Sequence, residues 1–256
     1  MLSSLFGRGR APTPKALVGQ DARVYAVGDI HGRCDLLTEL HGLIARDAAA
    51  HAASRNVIVY LGDYVDRGDD ARGVVDAVLD ATPAGFERVC LKGNHEALML
   101  DFLDDAAQGP SWFYNGGLAT LGSYGVVAPS ETGAIRMAAL LQQRFRDALP
   151  ERHLAFFRAL APYHKEGDYL FVHAGIKPGV PLDQQDPFDL IWIREEFLRN
   201  RDDHGFVVVH GHSIAPEVVD AGNRIGIDTG AYFTGVLTCL VLHGSERGLL
   251  QTGEAE

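Results

Sequence analysis

The sequence lacks the features of secreted, membrane-spanning and nucleic-acid-binding proteins. It has only three cysteines in 256 residues, Cys34, Cys90 and Cys239, and an odd, widely spaced set does not form a disulfide framework. No apolar run approaches the roughly 20 residues that a membrane helix needs. Basic residues are the minority, 23 Lys and Arg against 34 Asp and Glu, for a net charge of −11. We therefore expect a cytoplasmic protein that binds neither a membrane nor nucleic acid.

Length and composition predict one globular domain. With 46% hydrophobic and 22% charged residues, the composition is ordinary for a globular protein. Single α/β domains reach about 250 residues. Residues 1–20 contain Pro12 and Pro14 but no apolar core of the secretory-signal type, so we expect an extended arm. Residues 21–256 form the predicted domain.

Apolar periodicity predicts a layered α/β arrangement. The predicted strands are residues 23–27, 57–61, 87–91, 169–173, 206–210, 218–220, 225–227 and 236–242. The predicted helices are residues 35–51, 73–80, 96–105, 132–148, 150–160 and 188–199. Strand and helix alternate over the first hundred residues, and the second half is expected to be mainly antiparallel. Residues 105–165 form a helical excursion that we expect to cap the sheet ends.

Metal-competent residues follow several predicted strands. The clusters are Gly28-Asp29-Ile30-His31-Gly32, Gly62-Asp63-Tyr64-Val65-Asp66-Arg67-Gly68, Gly93-Asn94-His95-Glu96, and the later His173 and His212. Side chains two apart on an extended backbone project to the same side, so Asp29 and His31 are expected to converge. Loops at the carboxyl ends of neighbouring strands meet at one edge of a sheet.

Together these clusters predict a site for two divalent cations. The donor set is Asp29, His31, Asp63, Asn94, His173 and His212. It combines oxygen and nitrogen without thiolate, which suits Mn²⁺, Fe or Zn²⁺ and disfavours copper. Six ligands are too many for one four-coordinate ion but suit two ions about 3.5–4 Å apart, bridged by Asp63. A lone Asp would be a cap or turn residue, and a lone buried His hydrogen-bonded scaffold.

The same segments resemble the signature blocks of the metal-dependent phosphoprotein phosphatase family, within the calcineurin-like metallophosphoesterase superfamily. Gly-Asp-x-His-Gly, Gly-Asp-x-Val-Asp-Arg-Gly and Gly-Asn-His-Glu are complete at 28–32, 62–68 and 93–96. The segments that resemble blocks of small bacterial and phage Ser/Thr phosphatases are Trp112, 115–117, 120–121, 123–125, 191–195 and 227–231. The resemblance spans about residues 24–242 and implies an α/β fold, a β-sandwich of two mixed sheets flanked by helices, with a helical cap insertion.

The resemblance also implies a role for each matched residue. Asp29 and His31 would bind the first metal, and Asp63 would bridge. Asn94, His173 and His212 would complete the second site. The implied catalytic residues are His95, Asp66, Arg67 and Arg194, where His95 and Asp66 serve the leaving group and the arginines hold phosphate. The implied substrate-binding residues are Arg67, Arg194, Lys92 and Asn115. Lys92 is a departure, because the family commonly has Arg there and Lys lacks its bidentate fork.

The implied activity is hydrolysis of phosphate monoesters by direct attack of a metal-bridging hydroxide. The expected substrate is a phosphoserine or phosphothreonine protein or peptide. The expected cofactors are two divalent ions, and Mn²⁺ is the favoured metal. The alternative is a symmetrical diadenosine tetraphosphate hydrolase, whose relatives typically carry Gln where this chain has His31. A phosphodiesterase and a non-catalytic metal-stabilised module are disfavoured, the second because no ligand is missing. Trp112, Phe113 and Tyr114 either line a substrate groove or pack in the core.

Overall fold

The computed structural model describes residues 16–19, 21–51, 53–127 and 134–253. Most of the predicted arm at 1–20 lies outside the described residues. The strands are β1 Ala22–Val27, β2 Arg55–Tyr60, β3 Phe86–Cys90, β4 Tyr163–Glu166, β5 Tyr169–Val172, β6 Val207–His210, β7 Val219–Asp220, β8 Arg224–Gly226, β9 Thr238–His243 and β10 Glu246–Gln251. The α-helices are α1 Cys34–Ala50, α2 Ala71–Asp80, α3 Asn94–Asp104, α4 Gly109–Tyr114, α5 Gly117–Ser123, α6 Ala134–Ala148, α7 Glu151–Arg158, α8 Pro187–Trp192, α9 Glu195–Leu198 and α10 Ala231–Thr234.

The strands form two mixed five-stranded sheets. The first has the order β10-β9-β1-β2-β3, with β1, β2 and β3 parallel and β9 antiparallel to both neighbours. The second has the order β4-β5-β6-β8-β7. The predicted α/β fold with two mixed sheets is confirmed. The prediction of a mainly antiparallel second half holds at the hairpins but is wrong at the centre of the second sheet. There β5, β6 and β8 are parallel, because α8 and α9 form a crossover between β5 and β6.

Both faces of each sheet are buried, which explains the almost continuous apolar runs of the central strands. Val24 and Ala26 of β1 pack between the two sheets, against Phe171 of β5 and its neighbours. Tyr25 and Val27, which alternate with them, face the opposite layer of helices. The outer face of the second sheet packs against α8 and α9. The layers are therefore helix, sheet, sheet and helix.

The helical excursion joins the layer outside the first sheet. Trp112 of α4, Leu121 of α5 and Phe145 of α6 belong to the same apolar cluster as Tyr25 and Val27. The predicted helix 188–199 is instead two short helices, because Arg194 has non-helical backbone angles, φ −132° and ψ −100°. Among the described residues, no helix is both long and apolar enough to cross a membrane.

Candidate active site

The predicted metal ligands lie at the carboxyl ends of neighbouring strands, on loops except for Asn94, which is the first residue of α3. The loop after β1 is joined to the loop after β2, because the backbone N–H groups of Ile30 and His31 donate to the carbonyl of Asp63 at 3.1 and 2.8 Å. The loop after β6 is joined to the end of β5 by the Gly211 N–H, which donates to the His173 carbonyl at 2.8 Å. The strand order therefore brings together residues that are far apart in the sequence.

Two histidines are oriented by backbone carbonyls. Nδ1 of His31 lies 2.8 Å from the Val65 carbonyl oxygen, and Nδ1 of His173 lies 2.9 Å from that of Leu61. A ring that donates through Nδ1–H keeps a lone pair on Nε2. These Nε2 atoms lie 3.5 and 3.4 Å from Oδ2 of Asp63. Both rings are therefore set to act as metal ligands beside one carboxylate.

Two buried groups of side chains have the composition and spacing of metal sites. One contains His31, Asp63 and His95, and the other contains Asp63, His173 and His212, with donor atoms within 4.8 Å of one another in each. Asp63 is common to both, the position that the sequence predicts for a bridging ligand. His95, predicted as a proton donor, stands in the first group in place of Asp29.

Asn94 and Asp29 complete the cluster around these groups. Oδ1 of Asn94 lies 2.9 Å from Nε2 of His173 and 2.9 Å from Nδ1 of His212. The Asp29 carboxylate accepts the backbone N–H of His212 at 3.0 Å. Among the described residues, Nε2 of His212 is buried without a hydrogen-bond partner. Carboxylate and amide oxygens here face imidazole nitrogens, and one of these nitrogens has no hydrogen-bond partner. Divalent cations bind both kinds of donor atom, so this cluster fits divalent cations.

Burial keeps these imidazoles in the neutral form that binds metals. It lowers the pKa of His31 to about 3 and that of His212 to about 2. For Asp63, burial acts to raise the pKa, but the surrounding histidines, His173 first, hold it below its usual range. The pKa of Asp29 is raised well above its usual value by burial and by the carboxylates of Asp228 and Asp63. Such crowding of acidic groups is relieved when cations bind.

His95, Asp66 and Arg67 form a hydrogen-bonded chain at one side of the cluster. Nδ1 of His95 lies 2.7 Å from Oδ2 of Asp66, and Nη2 of Arg67 lies 3.0 Å from Nε2 of His95. The His95 ring therefore donates through Nδ1 to Asp66, and its Nε2 lies against the Arg67 guanidinium. Burial acts to lower the pKa of His95, but Asp63 and Asp66 outweigh it and the pKa is raised.

The two predicted phosphate-binding arginines lie near the cluster. The Arg67 guanidinium stacks on Tyr232, with 4.9 Å to the ring centroid. Both residues line a cavity of about 540 Å³. Arg194 is exposed, and its charge contributes to the lowered pKa of His173 and His212.

Two other predicted substrate-binding residues are not brought into this cluster. The Asn115 amide donates to the Ser111 carbonyl at 2.9 Å and so stays on its own helix. The Lys92 backbone N–H donates to Ala161, and within the described residues no contact joins its ammonium to the site. Their roles in substrate binding stay predictions.

Backbone strain is concentrated in this region. Among the described residues, the non-glycine residues with positive φ are His31, Asp63, Asp66, Arg67 and His212, with φ between 47° and 71°. Each such residue costs of order 1–3 kcal/mol and persists only where its surroundings fix it. The expectation of an extended backbone at Asp29 and His31 is wrong for this reason, because His31 has φ 47°. Side-chain direction here is set by turns.

Sequence reasoning missed several residues of the site. The Glu96 carboxylate accepts four backbone N–H groups, three from the loop that carries Asp63 and one from Gly93 before Asn94. Its place at the end of the third sequence block is the signal that could have identified it. Asp228 lies beside Asp29, and Tyr232 lies under Arg67. The question about Trp112 is answered by its burial, since the side chain is 0% exposed in the core.

Comparison with known proteins identifies what this chain is similar to. The family model described as calcineurin-like phosphoesterase matches residues 22–235. Serine/threonine-protein phosphatase 1 of Salmonella typhimurium is 26% identical over 84% of this chain and 89% of that protein. The symmetrical bis(5′-nucleosyl)-tetraphosphatase of Nitrosospira multiformis is 25% identical over 80% of this chain, which spans 66% of that protein.

Solved structures share the fold at low identity. A candidate diadenosine tetraphosphatase aligns with a TM-score of 0.61 at 20% identity, over 93% of this chain and 97% of that one. The cold-active protein-tyrosine phosphatase of a psychrophilic Shewanella aligns with a TM-score of 0.52 at 18% identity, over 92% and 83%. These alignments support the architecture of two mixed sheets flanked by helices.

Proposed function

Because the chain belongs to the calcineurin-like phosphoesterase family, whose members hydrolyse phosphate esters with divalent metals, we propose that it dephosphorylates phosphoserine and phosphothreonine in proteins. The observation that carries this proposal is the buried pair of His95 and Asp66 beside Arg67. A serine or threonine leaving group departs as a strongly basic alkoxide and needs a proton, whereas the nucleotide released from a dinucleotide polyphosphate is a far weaker base. A positioned imidazole is the group that supplies such a proton.

Each residue near the pair has a defined task in the proposed reaction. Asp66 accepts Nδ1–H of His95 and so directs Nε2 toward the leaving oxygen, to which His95 gives its proton. Arg67 and Arg194 hold the phosphoryl oxygens through charge-assisted hydrogen bonds. Bound divalent ions would acidify water to form the nucleophile and neutralise phosphate charge. The proposed ligands are Asp29, His31, Asp63, Asn94, His173 and His212.

A second candidate function is hydrolysis of symmetrical dinucleotide polyphosphates. Exposed aromatic rings beside the cluster favour it, because such rings stack on nucleobases. Phe233 is 61% exposed and contacts the Tyr232 ring at 4.9 Å between centroids. Phe188 is 63% exposed and stacks on Trp192, whose ring contacts His212. The Nitrosospira relative and the candidate diadenosine tetraphosphatase fold also support this candidate. His31 in the first block favours the protein phosphatase.

We further propose that residues 21–256 form a single catalytic domain. The cysteines that the structure describes are all unpaired, which supports the proposed cytoplasmic location.

Mn²⁺ is the proposed metal, with Fe and Zn²⁺ as the alternatives that the same oxygen and nitrogen donors allow.

The test uses purified protein that has been stripped with a chelator. Mn²⁺, Zn²⁺ or Fe²⁺ is added back, and initial rates are measured on a phosphoserine peptide, a phosphotyrosine peptide and diadenosine tetraphosphate. We expect no activity without metal and a preference for the phosphoserine peptide with Mn²⁺. A preference for the dinucleotide would reverse the order of the two candidates, and activity without any metal would overturn both.

A further inference from the structure

We propose that Trp112 and Thr120, in the helical excursion, are positioning residues for proton donation: they hold Asp66, which in turn orients His95. The inference rests on the proposed phosphomonoesterase function and deepens it, because it assigns part of the leaving-group machinery to α4 and α5. Neither residue belongs to the segments after β2 and β3 that carry Asp66, Arg67 and His95.

The hydrogen bonds around Asp66 carry this inference. The indole Nε1–H of Trp112 donates to both carboxylate oxygens, at 3.0 Å to Oδ1 and 2.9 Å to Oδ2. The Thr120 hydroxyl donates to Oδ1 at 2.6 Å and accepts the backbone N–H of Asp66 at 2.8 Å. Oδ2 also accepts Nδ1–H of His95. Each carboxylate oxygen thus has a partner from the excursion.

Burial makes these donors necessary. Asp66 and Thr120 are both 0% exposed, so water does not replace a lost donor on the carboxylate. A buried polar group that loses its partner costs about 1–3 kcal/mol, and more for a charged group. Without Trp112 and Thr120, the ionised Asp66 would be disfavoured and would rotate to find other donors. The direction of the His95 ring depends on the same carboxylate.

The backbone of Asp66 needs the same support. Asp66 and Arg67 are consecutive non-glycine residues with φ of 71° and 69°, a conformation that surrounding contacts must impose. The Thr120 hydroxyl binds the Asp66 N–H, and the Gly116 carbonyl accepts the Arg67 N–H at 3.4 Å. A Cβ at Gly116 would lie 2.9 Å from the Arg67 nitrogen, so the two segments are in close contact. The segment from 112 to 120 therefore fixes both residues.

The indole has no room to leave Asp66. Its ring packs against Phe102, Phe113 and Phe145, with centroids 5.0, 5.9 and 5.7 Å away. Gly117 lies against the ring, since a Cβ there would be 2.5 Å from Cδ2 and Cε2 of Trp112. A core residue chosen only for packing would not need its single N–H donor aimed at a buried carboxylate.

The chemical consequence depends on the leaving group. In the proposed step water oxygen forms a bond to phosphorus, and the ester P–O bond breaks. Its electron pair stays on the ester oxygen, which takes the Nε2 proton of the doubly protonated His95 ring. The attacking water loses a proton to solvent, and His95 takes up a proton from solvent before the next turnover. An alkoxide needs that proton, but p-nitrophenolate is stable without it. Loss of His95 orientation should therefore affect phosphoserine far more than p-nitrophenyl phosphate.

The test compares the Mn²⁺-loaded wild type with Trp112→Phe, Thr120→Val and Thr120→Ser. Turnover is measured on a phosphoserine peptide, phenyl phosphate and p-nitrophenyl phosphate. For the first two variants we expect kcat to fall about 10- to 100-fold on the peptide, part of the 10²–10⁴-fold that general acid catalysis supplies. On p-nitrophenyl phosphate we expect a fall of less than about 3-fold, and phenyl phosphate should lie between. Thr120→Ser keeps the hydroxyl and should restore peptide turnover.

Phe113→Leu is the matched control. Phe113 lies beside Trp112 in α4 and packs against Trp112 and against Phe102 of α3, but it gives Asp66 no hydrogen bond. All three substrates should therefore change by the same small factor. Equal losses on all substrates in Thr120→Val, or no loss, would overturn the positioning role. If Trp112→Phe does not fold, the comparison of Thr120→Val with Thr120→Ser still decides. A wild-type protein without activity on the phosphoserine peptide would instead refute the proposed function. The comparison of phenyl phosphate with p-nitrophenyl phosphate would still test the positioning role.

Discussion

The carboxylate of Glu96 accepts the backbone N–H of Asp63, with 2.9 Å between Oε2 and the nitrogen. The same side chain accepts the N–H groups of Tyr64 at 2.8 Å, Val65 at 3.3 Å and Gly93 at 3.0 Å. Glu96 is 0% exposed. One buried carboxylate therefore joins the loop after β2 to the start of α3 and fixes the position of Asp63, the candidate ligand that both groups share.

Replacing Glu96 by Gln should weaken both the fold and metal binding. Gln has one acceptor oxygen where the four N–H groups need two, so we expect a loss of about 1–3 kcal/mol in the free energy of unfolding. Replacing a residue that supports a metal ligand typically lowers the affinity for the metal by about 10- to 100-fold. Urea unfolding and Mn²⁺ titration by calorimetry measure the two effects. Glu87→Gln, at an exposed position, is the control, and Mn²⁺ affinity equal to wild type in Glu96→Gln would contradict this account.

Asp63→Asn should remove nearly all phosphatase activity and leave the fold intact. Asp63 belongs to both groups of candidate ligands, and its charge is the one that two cations would share. We expect the metal content, measured by mass spectrometry after dialysis, to fall below that of the wild type. His31→Ala should have the same effect on activity. Asp183→Asn, at an exposed position, should keep its metal, and an Asp63→Asn protein with full metal content would count against the bridging role.

His95→Ala should also abolish turnover of a phosphoserine peptide, because the proposed proton donor is lost. The circular dichroism spectrum and the cooperativity of unfolding should stay those of the wild type. A purified variant with wild-type turnover on this peptide would remove the proton-donor assignment.

Gly93→Ala should destabilise the protein through a steric clash. A Cβ at 93 would lie 2.1 Å from Oδ1 of Asp63 and 2.4 Å from its nitrogen, and overpacking of this kind costs about 1–3 kcal/mol. Gly42→Ala is the matched comparison, since a Cβ there would meet only Nη1 of Arg46 at 3.6 Å within helix α1. Alanine is favoured over glycine inside a helix by about 0.5–1 kcal/mol, so this variant should be more stable. Thermal unfolding that ranks the two in the opposite order would disprove the clash.

Stability should fall in mild acid because of a histidine outside the site. Burial lowers the pKa of His41 to about 4 from the ordinary 6.5. The unfolded chain therefore takes up this proton first as the pH falls below 6.5, and stability is lost down to about pH 4. The loss is up to about 3 kcal/mol at about 1.4 kcal/mol per unit. His41→Gln should remove that part of the slope in urea unfolding at pH 7 and pH 4.5, and an unchanged slope would exclude His41 as its source.

The central strands and the long helix α1 were predictable because apolar composition and apolar periodicity are local properties of the sequence. The strands β1, β2 and β5 are mostly apolar, with four consecutive buried apolar residues in each, and α1 has a clear helical period. Strands β4 and β10 were missed because edge strands keep polar residues. The four-residue helix α10 is too short to show a period.

By itself the sequence determined which residues are candidate metal ligands, because Asp, Asn and His in glycine-bounded blocks carry a chemistry that does not depend on where the blocks lie. Only the tertiary structure decided which of these side chains lie together and which residues hold them in place. Strand order brings His173 and His212 to Asp63, and left-handed turns rather than extended strands aim the side chains. Trp112 and Thr120 reach Asp66 across 46 and 54 residues, a contact that no local pattern encodes, since packing of α4 and α5 on the first sheet creates it.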